Sequence, residues 1–365
     1  MKIAVLGYGA VAKGTLQALK NTEIEVSKIL VRRDIPEIAD VSTRDFDEIL
    51  KDPEICLVAE LMGGDEPAFT YVTAAMKAGK HVVSANKQMI SHHYTELLKT
   101  AEASGVRFAF SAAAGGSIPW LANLLRFTQV DEACAVYGIM NGTTNFILDS
   151  LENEGRDFAD VLKQAQELGY AEADPTADID GLDVRAKLAL SVDAAAKGEL
   201  NPETIPALGI RYIKSEDIER FKELGLTCKL IGRADLSGAV SAYVEPMLFP
   251  SDSAVAQTHG AGNIITAELK QAGNMMSFRG AGAGGGPTGV AVASDICDVL
   301  KGISEFKNAK SLKTIENNTE AVVHKYYVRK GAEVTAAEMS VAQMHKEVAE
   351  AIAAGIDCFA ASFAQ

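Results

Sequence analysis

Cysteine and histidine are sparse in this chain, and neither is clustered. Five cysteines (Cys56, Cys134, Cys228, Cys297 and Cys358) include no CxxC pair, so neither a zinc site nor a disulfide framework is expected, and they read as reduced thiols. Among the six histidines, His92-His93 is the one close pair, and neighbours on a helix point in different directions, which argues against a shared metal ion. Basic clusters are lacking too. The formal charge of −14 leaves no positive footprint for nucleic acid or an anionic membrane, so a small-molecule partner is expected. The start, Met1-Lys2 followed by a short apolar strand, is too brief for a signal peptide, which predicts a cytoplasmic protein with no membrane partner.

What is present is ordinary globular composition, with 48% hydrophobic and 23% charged residues over 365 positions, enough for two domains. Short apolar runs at Lys2–Leu6, Glu25–Val31, Cys56–Leu61, His81–Ser84 and Arg107–Phe110 predict strands. Between them, Val11–Leu19, Pro67–Ala78 and Tyr94–Ser104 carry apolar residues at helical spacing. This alternation predicts an α/β fold: a Rossmann-type doubly wound parallel sheet over residues 1–128, completed by a helix at 287–302. Residues 129–286 read as a second, α+β catalytic and dimerisation domain, in which strands Ala239–Met247 and Asn263–Leu269 could form a surface for a homodimer or higher homo-oligomer. Residues 303–365 read as a C-terminal extension.

Gly7-Tyr8-Gly9-Ala10-Val11-Ala12 follows a strand and opens a helix, the context of a dinucleotide-binding turn. Gly7 makes the turn, Gly9 lets the backbone approach a pyrophosphate, and Ala12 replaces the third glycine at a packing position. The second strand ends Val31-Arg32-Arg33-Asp34, and Arg32 and Arg33 could hold a 2′-phosphate, so NADP is expected in preference, with NAD possible. A second glycine run, Gly280 to Gly286, leads through Pro287-Thr288 into an apolar helix, and Gly280, Gly282 and Gly284 are read as a close backbone approach to a ligand.

The stretch Gly169 to Lys187 crowds carboxylates ahead of a helix. Asp183 and Lys187 fall on one helical face, either as a proton relay or as a plain surface ion pair. This segment, Gly-Tyr-Ala-Glu-Ala-Asp-Pro leading to Gly-Leu-Asp-Val and Lys187, resembles the signature of the homoserine dehydrogenases. Glu60-Leu61-Met62-Gly63-Gly64, Val82 to Lys87, Gly115 to Pro119, Gly138 to Asn145 and the run before Pro287 resemble the same family in the same order, over roughly residues 1–300. The resemblance implies reversible NAD(P)H-dependent reduction of L-aspartate 4-semialdehyde to L-homoserine, in threonine and methionine biosynthesis. It implies Lys187 as general acid, Asp183 as its partner and a substrate contact, Glu172 and Asp178 as substrate-binding carboxylates, and Lys87 near the nicotinamide and the reacting oxygen. Gly169 and the glycines from 280 would border the cofactor.

Two features depart from the family. Its monovalent cation is held by a glutamate and nearby carbonyls, which would be Ala114, Gly116 and Ile118 here, but Ser111 stands in the glutamate's place, so the bare turn is expected to serve as structural support. Val323–Arg329 resembles the opening strand of an ACT regulatory domain, yet the remaining chain is too short for an intact one. Two alternatives remain. An aspartate-semialdehyde dehydrogenase would need an activated thiol, and Cys134 sits in a strand pattern. A nucleotide-sensing relative without chemistry would predict a damaged Asp183/Lys187 pair, and both residues are present.

Overall fold

A computed structural model describes residues 1–303 and 312–364. Parts of the predicted C-terminal extension, residues 304–311 and 365, lie outside the described residues. In chain order the first elements are β1 (Lys2–Leu6), α1 (Ala10–Leu19), β2 (Glu25–Leu30), β3 (Ser42–Thr43), α2 (Phe46–Leu50), β4 (Ile55–Glu60), α3 (Ala68–Lys77), β5 (His81–Ser84), α4 (Lys87–His92), α5 (Tyr94–Ala103), β6 (Phe108–Ala109) and α6 (Trp120–Phe127). Then follow β7 (Ala133–Ile139), α7 (Gly142–Glu154), α8 (Phe158–Glu167), α9 (Thr176–Ile179), α10 (Leu182–Ala196), β8 (Gly198–Leu200), α11 (Ser215–Glu223), β9 (Leu226–Asp235), β10 (Ser241–Pro250), β11 (Gly262–Leu269) and β12 (Asn274–Ala281). The chain ends with α12 (Gly285–Leu300), β13 (Lys313–Ile315), β14 (Val323–Lys330), β15 (Glu333–Ser340), α13 (Val341–Ala353) and β16 (Cys358–Phe363).

The chain divides into two units: Met1–Val130 with Asp193–Glu199 and Ala281–Thr314, and Asp131–Val192 with Leu200–Gly280 and Ile315–Gln365. The first holds a six-stranded sheet of order β3-β2-β1-β4-β5-β6, with every pairing parallel. The strand order reverses between β1 and β4, and in such sheets a ligand binds outside the carboxyl ends of the strands at that point. The core is aliphatic, with Ile3, Val5, Leu57 and Val83 fully buried beside Val292 and Ile296 of α12. Helices α1 and α12 meet so closely that a Cβ on Gly14 would lie 2.1 Å from the Gly285 carbonyl oxygen.

The second unit is built on an eight-stranded mixed sheet, β12-β11-β7-β9-β10-β16-β14-β15. Strands β10 and β11 both lie in this mixed sheet, β10 buried along nearly its whole length and β11 almost as fully. The alternately exposed edge strand β12 falls at the end of a β-rich stretch, but its pattern, Asn274-Met275-Met276-Ser277, carries little apolar periodicity that would mark its bounds. The region after residue 314 is not a separate extension. β14 and β15 form a hairpin, α13 covers it, and β16 returns between β14 and β10. A fully buried ion pair, Arg329 Nε to Asp217 Oδ1 at 2.9 Å, ties β14 to α11.

Candidate active site

In the first unit, β1 stops at a turn in which Gly7 has φ +94°, and a Cβ there would lie 2.8 Å from the Leu61 carbonyl oxygen, so glycine is required. Gly9 caps α1, and nothing stands within 4 Å of where its Cβ would be, which leaves open space at a helix N-terminus. Ala10 and Val11 begin the helix, while Ala12 is fully buried against the sheet. An open backbone cradle at the positive end of a helix fits a pyrophosphate. Arg32 and Arg33 stand exposed just beyond β2, and Asp34 is held by Arg44 at 2.8 Å.

Lys87 opens α4, capped by Asn86, whose Oδ1 accepts from Met89 N at 3.2 Å. Gly282 lies against the turn that follows β6: a Cβ on Gly116 would come within 2.5 Å of the Gly282 carbonyl carbon, and Ser117 N donates to Ala281 O at 3.1 Å. Gly284, at φ +113°, leads into α12. Gly280 sits near the end of β12 in the second unit, and Gly169, at φ +77°, ends α8 there.

At the turn where the family holds a cation, Ser111 and the Ile118 carbonyl are engaged within the protein. The Ser111 hydroxyl donates to Asp295, whose other oxygen accepts from Ala112 N at 3.4 Å, and the Ile118 carbonyl already accepts from Trp120 N at 2.7 Å. Burial pushes the Asp295 carboxyl up to about 7, partly offset by the hydrogen bonds from Ser111 and Ala112. Among the described residues, no group of three or more His, Cys, Asp or Glu side chains could hold a metal ion.

The second unit carries the acid–base cluster. Asn141 caps α7, its Oδ1 accepting from Thr144 N at 2.8 Å. That fixes the amide orientation, because the acceptor end is occupied by the helix. Nδ2 therefore faces away from the helix and donates to Asp178 Oδ1 at 2.6 Å and Asp183 Oδ2 at 3.0 Å. Lys187 Nζ donates to Asp183 Oδ2 at 2.7 Å and to the Met140 carbonyl at 2.8 Å. With Lys187 7% and Asp183 9% exposed, this is no surface ion pair. A partly desolvated ammonium held between two acceptors is poised to exchange a proton with a bound oxygen.

Of the residues singled out from sequence in this unit, Asp178, Asp183 and Lys187 are brought together through Asn141. Glu172 is exposed in the loop after α8, where its carbonyl accepts from Gln166 Nε2 at 3.0 Å. The sequence reading gave no role to Asn141 or Met140. A helix-capping signal was available, since Asn141 precedes Gly-Thr-Thr, but nothing local says that the cap faces two acids distant in sequence. Cys134 lies inside β7, away from any helix start, which does not suit a thiol nucleophile.

Comparison with known proteins decides the family. The homoserine dehydrogenase model matches residues 119–297, and the model of the homoserine dehydrogenase NAD-binding domain matches residues 7–111. A homoserine dehydrogenase of Lactococcus lactis is 37% identical over 350 residues, covering 90% of this chain and 82% of that one. The chain belongs to the homoserine dehydrogenase family. It is an NAD(P)-dependent oxidoreductase with that activity. A homoserine dehydrogenase crystal structure from Thiobacillus denitrificans is 29% identical to the enzyme, with TM-score 0.89, and covers 100% of this chain and 98% of its own. A hyperthermophilic archaeal homoserine dehydrogenase solved in complex with NADPH shares the fold at 21% identity and TM-score 0.71, over 84% of this chain and 99% of that one. Among the described residues, no helix of the enzyme is long and apolar enough to cross a membrane.

Proposed function

We propose that Lys187 is the proton donor and acceptor in the interconversion of L-aspartate 4-semialdehyde and L-homoserine, and that NADPH is the preferred cofactor. The observation that carries this reading is the buried Lys187–Asp183–Asn141 cluster, which reaches the half-buried Asp178 through the Asn141 amide. The nicotinamide, when bound, supplies or takes up the hydride at the carbon. As negative charge grows on the aldehyde oxygen, the Lys187 ammonium passes it a proton, and in the oxidative direction Nζ receives the hydroxyl proton. Asp183 and the Met140 carbonyl hold Nζ in place, while Asp178 and Glu172 offer carboxylates to the substrate ammonium. Lys87 is assigned to the nicotinamide end of the cofactor, and Gly169, Gly280, Gly282 and Gly284 to its borders.

The pyrophosphate is assigned to the turn from Gly7 to Ala12, and the 2′-phosphate to Arg32 and Arg33. Engagement of Asp34 by Arg44 supports this preference, since the acid is then less free to take a ribose hydroxyl. The exposed edge strand β12, with Met275 64% exposed, is assigned as the contact with a second copy in a homodimer.

Following nicotinamide absorbance with homoserine and each cofactor tests the preference. NADP should give the higher kcat/KM, and Arg32→Ala with Arg33→Ala should reduce it about tenfold or more for NADP with little change for NAD. A parent enzyme faster with NAD, or a double variant unchanged with NADP, would reverse the cofactor assignment.

A further inference from the structure

Glu60 is a carboxyl with no exposed surface at the end of β4, on the carboxyl edge of the parallel sheet and one strand from the cofactor turn. Burial raises its proton affinity, partly offset by the hydrogen bonds it accepts. It is fully engaged. Oε2 accepts from Ser84 Oγ at the end of β5 at 2.6 Å, and Oε1 accepts from Met62 N at 2.8 Å and from Asn86 Nδ2 at 3.4 Å. The same Asn86 amide donates to the Gly64 carbonyl at 2.6 Å, and its Oδ1 caps the helix on which Lys87 is the first residue. At the other end of that helix, His93 Nε2 lies 3.1 Å from Asp65 Oδ1 and stacks on Phe69.

Two segments, the loop from 61 to 65 and helix α4, are thus fastened to each other at both ends, with Glu60 at the join. The loop begins at Leu61, whose carbonyl closes on Gly7. A buried acid at a core position costs stability unless it holds something, and apolar residues would pack a strand end better. We propose that Glu60 is a positioning residue for the nicotinamide half of the cofactor: through Met62 N and Asn86 it sets the loop 61–64 and Lys87, while the adenine half is bound independently of it. The proposal rests on the assignment of Lys87 to the nicotinamide end.

The test compares a whole dinucleotide with a fragment that lacks nicotinamide. Binding of NADPH, read by its fluorescence, and of 2′-phospho-ADP-ribose, read by displacement, are measured for the parent, Glu60→Gln, Glu60→Ala and Ser84→Ala, with thermal stability alongside. Glu60→Gln keeps the shape but puts an NH2 against Ser84 or Met62 N. It should weaken NADPH binding and lower kcat by about tenfold or more, while fragment binding stays within about twofold of the parent. Ser84→Ala should show the same split to a smaller degree. If the variants lose fragment and dinucleotide affinity together, in step with thermal stability, Glu60 only supports the core and the proposal is overturned. Unchanged NADPH binding and kcat in both Glu60 variants overturns it equally. A parent that binds NADPH yet fails to oxidise homoserine would instead count against the catalytic reading, and leaves the binding comparison intact.

Discussion

Asp295 and Asn141 make the case at the scale of single residues that polar groups in this chain are placed for orientation. Asp295 is an acid inside the aliphatic face of α12, and it fastens the turn at Ser111 and Ala112 by hydrogen bonds. Its folded titration near 7 lies above the roughly 3.9 of an unfolded aspartate, so the folded state binds the extra proton in between. The stability it contributes is therefore present in full below about pH 4 and is lost as pH rises through about 7. Melting curves of the parent and Asp295→Asn across that window should show the parent's advantage shrinking with rising pH. An advantage that grows with pH would contradict the burial argument. From sequence, Ser111 was legible as a lost carboxylate, but Asp295 was not, because the residue that answers it is almost a whole domain away in the chain.

At the scale of elements, the first unit was the more legible part, since each βα step carries its own periodicity and the glycine turn has a local signature. The helix crossing was not. Gly14 and Gly289 look like ordinary helix-interior glycines, yet a Cβ on Gly289 would lie 2.4 Å from the carbonyl carbon of Gly14, and one on Gly14 would lie 2.1 Å from Gly285 O. These atoms are backbone and cannot rotate away. Gly14→Ala should cost about 1–3 kcal/mol by forcing α1 and α12 apart, read as a lower Tm together with weaker cofactor binding at the Gly9 cap. A variant that melts like the parent would mean that the two helices can part at no cost.

At the scale of the molecule, the fold class was legible as an α/β unit followed by a mixed one, whereas the role of the C-terminal segment was not. Residues 315–364 complete the second sheet, and their anchor is a buried pair whose members lie far apart in sequence. Arg329 meets Asp217, Asp357 and the Tyr212 carbonyl, and Tyr327 Oη donates to Asp217 at 2.7 Å. Arg329→Met would strand Asp217 without its cation and should cost about 3–5 kcal/mol, measured by denaturant unfolding. A loss under about 1 kcal/mol would show that the pair is well hydrated, against its burial. The Lys187 cluster lies between these extremes: the Asp183/Lys187 spacing is written in one helix, but its burial and the amide of Asn141 come from tertiary structure.

The most direct test of the central claim is the turnover of Lys187→Ala with homoserine, measured beside its affinity for NADPH. The account predicts a fall in kcat of about 100-fold or more, the usual contribution of a positioned acid or base, with cofactor affinity within about twofold of the parent. A folded Lys187→Ala enzyme that turns homoserine over at near the parent rate would contradict it.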